Sequence, residues 1–141
     1  MPIIISHTAI VNPHQEMLLL HRSPKDKVLP GFWDLPGGAV KLKEDPVIGA
    51  IREAKEECGL RITNLQLFAS HTNWDKVKKE QFITLIFYTK NYQGKVKLDL
   101  RDHNEYAWVK KTDIKKFKVV PNLEKAIKIY AAKNLILEYL V

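Results

Sequence analysis

The spacing of apolar positions changes several times along the chain, and each change marks an element. Ile3 to Val11 is rich in β-branched residues and predicts a strand. Met17 to Arg22 predicts a second, and the turn residues Asn12-Pro13-His14-Gln15 between them predict a hairpin. Ser23 to Phe32 mixes charges with Pro24, Pro30 and Gly31 and predicts a loop, which runs through Trp33 to Pro36 into Gly37-Gly38. From Pro46 the period becomes helical: Val47, Ile51, Ala54 and Cys58 make one apolar stripe. Asp45 suits an N-cap, Pro46 the first helical position, and Gly59 the position after the last turn. Leu65 to Ser70, Gln81 to Thr89, Lys95 to Arg101 and Glu105 to Lys110 then predict strands, the third with the cleanest alternation. Thr112 caps a short helix to Phe117. Pro121 opens a terminal helix with Leu123, Ile127, Tyr130 and Leu135 on one face. Hairpin-like strands with one central and one terminal helix imply a mixed sheet covered by helices, an α/β or α+β single domain over residues 1–141.

Length and composition bound the class. A chain of 141 residues fits one domain and buries enough surface to fold without a disulfide or metal staple. Cys58 is the single cysteine, so no internal disulfide forms and a reducing compartment is expected. Apolar runs such as Met17-Leu18-Leu19-Leu20 fall far short of the ~20 residues of a membrane span. Ile3-Ile4-Ile5 has no basic segment before it and is followed at once by Ser6 and His7, unlike a signal peptide. A soluble cytoplasmic protein is the expectation.

The formal charge is +7, from 23 basic and 16 acidic residues. Residues 1–70 balance at 8 basic and 8 acidic, so the whole excess lies in residues 71–141. A basic surface concentrates anions such as nucleotides or nucleic acids. A lysine-rich solvated face gives the same count, so charge alone selects no partner.

The chemistry lies on the helix from Pro46 to Cys58, opposite the apolar stripe. There Arg52, Glu53 and Glu56 share one face, with Glu57 at its edge. Glu53 pairs with Glu56 at i,i+3 and with Glu57 at i,i+4, spacings at which like charges cost about 0.2–0.5 kcal/mol per pair. Glu56 and Glu57 also meet the negative end of the helix dipole. Arg52 offsets part of this, and three carboxylates beside a glycine-rich turn still want a cation. Hard oxygen ligands of this kind suit Mg²⁺, which takes one or two carboxylates plus waters and substrate phosphates. A solvated acidic face is the alternative for a helix standing alone.

This helix does not stand alone. Gly38, five residues, Glu44, seven residues, Arg52-Glu53-Ala54-Lys55-Glu56-Glu57-Cys58-Gly59-Leu60 resembles the Nudix box at all seven of its fixed positions. The one soft position is Ala54, small where a larger aliphatic is usual. Leu35-Pro36-Gly37-Gly38 resembles the entry loop of that family, and Trp108-Val109 with Thr112-Asp113-Ile114 resembles its later strand and short helix.

The resemblance implies an α/β fold, an α/β/α sandwich around a mixed sheet. It also implies hydrolysis of a phosphoanhydride in a nucleoside diphosphate derivative by metal-activated water, with Mg²⁺ or, in its place, Mn²⁺. Carried over by position, Glu56 and Glu57 become metal ligands with the Gly37 carbonyl, and Glu53 a ligand or the base that activates water. Arg52 orients the carboxylates, and Glu44 supports the loop-and-helix geometry. Asp102 stands where the family often has a further acidic ligand, with one methylene less. Proline is absent between Pro46 and Pro121, tyrosine between Leu60 and Tyr88, and a Ser-Gln-Pro-Trp run throughout. These absences set aside resemblance to the ADP-ribose, diadenosine-polyphosphate and NADH types, leaving a MutT-like (deoxy)nucleoside triphosphate pyrophosphohydrolase.

Arg22 and Lys41 are candidate phosphate contacts, and Asn122 a candidate base contact or helix cap. Trp33 suits base stacking or core packing equally. The histidines at 7, 14, 21, 71 and 103 show no metal-ligand spacing, and no Gly-x-x-x-x-Gly-Lys-Ser/Thr loop exists. One rival is a non-catalytic Nudix module that senses nucleotides, against which the complete Glu53, Glu56, Glu57 set argues. Another is a nucleic-acid-binding domain, but no recognised motif accompanies its lysines and aromatics. Monomer and homodimer both remain open.

Overall fold

The apolar run Met17-Leu18-Leu19-Leu20 shows how the layers form, because consecutive side chains of a strand point to opposite faces. In the computed structural model, which describes residues 1–121 and 123–125, all four are essentially inaccessible to solvent. Met17 and Leu19 enter one core with Ala9, Val11, Leu35, Ile86 and Val109; Leu18 and Leu20 enter another with Ile10, Ala54, Cys58, Leu60 and Ile62. A strand apolar on both faces belongs in the middle layer of a sandwich.

Strands β1 (Ile3–Ile10), β2 (Glu16–Arg22), β3 (Trp33–Asp34) and β4 (Gly37–Ala39) precede helix α1 (Pro46–Cys58). Strands β5 (Arg61–Thr63), β6 (Gln66–Asp75), β7 (Glu80–Thr89), β8 (Asn91–Gln93) and β9 (His103–Lys110) follow, then a 3₁₀ turn at Ile114–Lys116. The main sheet is mixed, in the order β4-β1-β7-β6, with β1 and β7 parallel and the other pairs antiparallel. A three-stranded sheet β3-β2-β9 and a β5-β8 pair complete the framework. This is the mixed-sheet α/β sandwich that the sequence predicts.

The predicted hairpin is corrected. Asn12 N–H donates to the Glu16 carbonyl and Val11 bridges Met17, so the turn forms. The strands then part, β1 into the four-stranded sheet and β2 against β3 and β9, because each is apolar enough to be flanked on both sides. Lys95–Arg101 is not a strand either. Lys97 N–H donates to Cys58 O at 2.9 Å and Asp99 N–H to Glu57 O at 3.0 Å, while Val96 and Leu98 pack on the second core. The segment therefore satisfies carbonyls at the C-terminus of α1, and its alternation reflects docking on a helix end. The strand expected over Leu65 to Ser70 extends to Asp75.

Helix α1 forms where expected. Asp45 Oδ1 accepts from Val47 N–H at 2.8 Å, Pro46 opens the helix, and Gly59 ends it in the left-handed region at φ 76°. Ala54 and Cys58 are wholly buried, so the small residue fits its place. Burial also pushes the Cys58 thiol up to about 11, consistent with a core role. The 3₁₀ turn is preceded by Asp113 rather than capped by Thr112, and Asp113 makes no side-chain cap. At Pro121 a helical turn begins, with Glu124 N–H donating to Val120 O and Leu123 entering the first core. Asn122 and the rest of the expected terminal helix, including Ile127, Tyr130 and Leu135, lie outside the described residues.

Candidate active site

Two short pieces of backbone and one helix face build the site. Strand β4 pairs with β1 through Ser6↔Gly38 and His7↔Gly37, which lays the glycine turn against α1. The approach is close at both glycines. A Cβ at position 37 would fall 2.2 Å from the Ser6 carbonyl oxygen, and one at position 38 would fall 2.6 Å from the Glu53 carboxyl carbon. Glycine is required at 37 because backbone sits there, and at 38 because the Glu53 carboxylate does.

Arg52 organises the carboxylates. Its Nε and one terminal nitrogen donate to both oxygens of Glu44 at 2.8 and 2.9 Å, a bidentate pairing. The other terminal nitrogen donates to Glu53 at 2.8 Å and to Glu56 at 3.2 Å. The arginine also reaches the Ala39 carbonyl. Glu44 further accepts from the Lys41 backbone N–H, and hydrogen bonding from Arg52 holds its carboxyl down to about 2. Arg52 is correspondingly held well above its ordinary range, chiefly by Glu44.

Glu57 sits differently. Only 9% of it is exposed, and its carboxylate accepts from Gly37 N–H at 2.7 Å. Its other oxygen lies 3.3 Å from His103 Nδ1, a nitrogen that is buried and makes no hydrogen bond. Burial pushes the Glu57 carboxyl well above the usual range, and the charges of Asp34, Glu53 and Asp102 add to the effect. Burial also lowers His103, favouring the neutral imidazole.

These side chains meet in a cleft of about 480 Å³ lined by Gly37, Gly38, Glu53, Glu56, Glu57 and Asp102, with Arg22, Asp26, Asp99, Arg101 and His103 at its sides. Arg22 pairs with Asp26 and Asp34, and Arg101 with Asp99. Neither Glu57 nor Asp102 forms a salt bridge with a lysine or arginine among the described residues, although Arg101 of the same cleft acts on Asp102 electrostatically. Among the described residues no three His, Cys, Asp or Glu side chains are already gathered as a metal shell. The reason is visible: Arg52 draws Glu53 and Glu56 toward Glu44, while Gly37 N–H holds Glu57. The donor set is nonetheless all hard oxygen, and a buried carboxylate facing three others is favourable only beside a cation. The residues fit a divalent ion.

Of the residues singled out in the sequence, Gly37, Glu53, Glu56, Glu57, Asp102 and Arg22 share the cleft. Glu44 and Arg52 stand behind it. Arg22 is engaged by Asp34 at 3.0 Å, Asp26 at 3.1 Å and the Val28 carbonyl at 2.9 Å, so it organises the cleft wall. Lys41 is exposed and outside the cleft; its contribution is the backbone N–H to Glu44. Trp33 packs edge-on against Phe117 and beside His21, on the first core. Sequence reasoning missed Asp34 and the contact of His103 with Glu57, which depend on long-range pairing of β2 with β3 and β9, and Arg101, which pairs with nearby Asp99.

A second cavity, of about 490 Å³, adjoins the first through Gly37, Gly38, Arg22, Glu57 and His103. Its walls are more apolar, with Ile5, Val28, Leu29, Phe82, Val120 and Leu123. The acidic cleft and the more apolar chamber thus meet at the glycine turn.

A mixed-sheet sandwich thus carries the glycine turn, the acidic helix face and the arginine network together. The chain belongs to the NUDIX domain family, whose pattern matches residues 3–129. MutT and MutT-like proteins are among those it resembles. The MutT protein of Methanosarcina mazei Go1 has a similar structure, with a TM-score of 0.81, 28% identity, and coverage of 94% of this chain and 96% of that one. The 8-oxo-dGTP diphosphatase of Proteus vulgaris is 32% identical over 63 residues, which are 45% of this chain and 55% of that protein. A CMP-5'-(N-acetyl-N-hydroxy-3-aminopropyl)phosphonate hydrolase of Streptomyces rubellomurinus is 40% identical over 57 residues, 40% of this chain and 27% of that one. The chain thus spans about a quarter to about half the length of these curated relatives. No helix among the described residues is long and apolar enough to cross a membrane.

Proposed function

We propose that this chain hydrolyses the phosphoanhydride of a nucleoside diphosphate derivative, most readily a (deoxy)nucleoside triphosphate, with Mg²⁺ as cofactor and Mn²⁺ as a substitute. The observation that carries this reading is the junction of the two cavities at Gly37, Gly38 and the buried Glu57. A substrate lying across that junction has its phosphates in the acidic cleft and its base in the apolar chamber.

Glu56, Glu57 and the Gly37 carbonyl are the proposed ligands, with Glu53 and Asp102 completing the oxygen set. A bound divalent ion supplies charge neutralisation on the phosphoryl oxygens and lowers the pKa of a coordinated water. The protein's own groups do the rest. Arg52 fixes the direction of the Glu53 and Glu56 carboxylates, and Glu44 fixes Arg52. Gly38, lacking a Cβ, lets the Glu53 carboxylate lie against the turn, where it takes the proton of the attacking water. Gly37 N–H holds Glu57 toward the cleft, with the His103 ring beside its other oxygen. No side chain is needed as a nucleophile. The free buried Cys58 accords with a cytoplasmic location.

Phosphate or pyrophosphate release, assayed over (deoxy)nucleoside triphosphates, nucleotide sugars, ADP-ribose and dinucleotides with Mg²⁺, tests the reading. At least one substrate is expected to turn over, and Glu53→Gln to slow it by about a hundredfold or more. An unchanged rate in that variant removes Glu53 from the chemistry.

A further inference from the structure

The two arginines that line the acidic cleft differ in what they have left to donate. Every nitrogen of the Arg22 guanidinium is committed, Nε to the Val28 carbonyl, Nη1 to Asp34 and Nη2 to Asp26. Arg101 is open. Its side chain is 87% exposed, Nε and Nη2 donate to Asp99, and Nη1 has no partner among the described residues. Asp99 is itself fixed, since its N–H donates to Glu57 O and its carbonyl accepts from Asp102 and His103 N–H. Asp99 Oδ1 also accepts from the Arg101 backbone N–H, so the turn closes without the guanidinium. An ion pair this exposed contributes little to stability. What it does is hold a planar cation with one free edge at the side of the cleft. Arg101 lines the cleft and not the apolar chamber, whereas Gly37, Gly38 and Glu57 line both. It therefore belongs to the part of the cleft away from the chamber.

We propose that Arg101 is a specificity-determining residue that binds the terminal phosphate of a nucleoside triphosphate through Nη1 and the outer hydrogen of Nη2. The inference rests on the reading that the chain binds nucleotides, and it adds which end group of the phosphate chain is recognised. With the base in the chamber and the first phosphates at the glycine turn, the far end of the phosphate chain reaches the Arg101 side of the cleft. The rest of the lining on that side is acidic, with Asp26, Glu56, Asp99 and Asp102, and Arg101 is the cation there with a donor to spare. A terminal phosphate brings a second negative charge and three oxygens that match a guanidinium fork. A nucleotide sugar puts an uncharged ring in the same place and gains nothing from the arginine. Arg101 thus selects triphosphates over nucleoside diphosphates joined to a neutral group.

Calorimetry with α,β-methylene analogues and Mg²⁺ tests this, because these analogues resist cleavage between the first two phosphates and report binding alone. The triphosphate and diphosphate forms of the adenosine and guanosine analogues are compared in the wild type and in Arg101→Gln. For the base that binds more tightly, the ratio of triphosphate to diphosphate affinity is expected to fall by about fivefold or more in the variant. Affinity for the diphosphate form stays nearly unchanged, which separates contact with the end group from any effect on the metal. Arg101→Lys, which keeps the charge and loses the fork, is expected to recover part of the ratio. Arg101→Ala serves if the glutamine variant does not fold. A smaller fall in the ratio, or equal weakening of both forms as a merely structural role would give, overturns the proposal. Hydrolysis of triphosphates with an unchanged ratio overturns this proposal alone, whereas no detectable binding of any analogue overturns the nucleotide reading with it.

Discussion

Glu44 and Glu57 lie before and near the end of the same helix, and their carboxylates are in opposite electrostatic situations. Glu44 is gripped at both oxygens by Arg52 and capped by Lys41 N–H, which holds it down to about 2. Glu57 has one backbone donor and a neutral imidazole, and burial drives its carboxyl upward. The first is a satisfied ion pair that shapes the loop. The second is a carboxylate that the protein leaves partly uncompensated, at the position proposed for a metal ligand. By resemblance Glu44 is already the support and Glu57 an expected ligand; burial and ion pairing give the two carboxylates the different surroundings that such roles require.

The largest effect that sharpens this contrast is expected from Glu57→Gln. Steady-state assays should show a rate loss of about a hundredfold or more, since the several kcal/mol that a bound ion supplies depends on its ligands. Thermal unfolding of the metal-free variant should be unchanged or improved, because a buried charge is gone while Gly37 N–H keeps an acceptor. Arg52→Ala is expected to lose on both counts: a rate about 10–100-fold lower and a Tm lower by about 2–6 °C, measured side by side. A variant at Arg52 that kept full activity would break the division of labour.

Gly38→Ala is the next step down. Its Cβ would meet the Glu53 carboxylate at 2.6–2.8 Å, so the carboxylate must shift. The expected loss is about tenfold in kcat, because the proposed base Glu53 is displaced.

The smallest effect is in the pH dependence of stability, and the two glutamates give it opposite signs. Glu44 has its folded pKa depressed from the ordinary 4.5 to about 2, so its stabilisation is full above 4.5 and is lost as pH falls toward 2. Glu57 has its folded pKa raised above 4.5, so metal-free protein loses stability as pH rises from 4.5 through the raised value. Denaturant titrations after EDTA treatment should show that alkaline-side loss in the wild type and not in Glu57→Gln.

How much of this was legible beforehand follows the range of the interactions. Helix α1 was readable to the residue because Asp45, Pro46 and Gly59 act within one turn. The acidic face was readable because helical spacing alone sets it. Glu57 was placed only at the edge of that face; its burial needs Gly37, twenty positions earlier, and the segment around Asp99. That segment was misread as a strand since extended chain alternates alike on a sheet and on a helix end. The parting of β1 from β2 escaped for a related reason: a good turn sequence fixes the turn and says nothing of which neighbours each strand takes.

Mn²⁺ titration of the metal-free protein, followed by calorimetry or electron paramagnetic resonance, tests the central claim most directly. Wild type and Glu44→Gln should each bind Mn²⁺ saturably, the variant at most modestly weaker, while Glu57→Gln should lose binding by about a hundredfold or more. Equal Mn²⁺ affinity in wild type and Glu57→Gln would contradict the assignment of that buried carboxylate as the anchor of the metal.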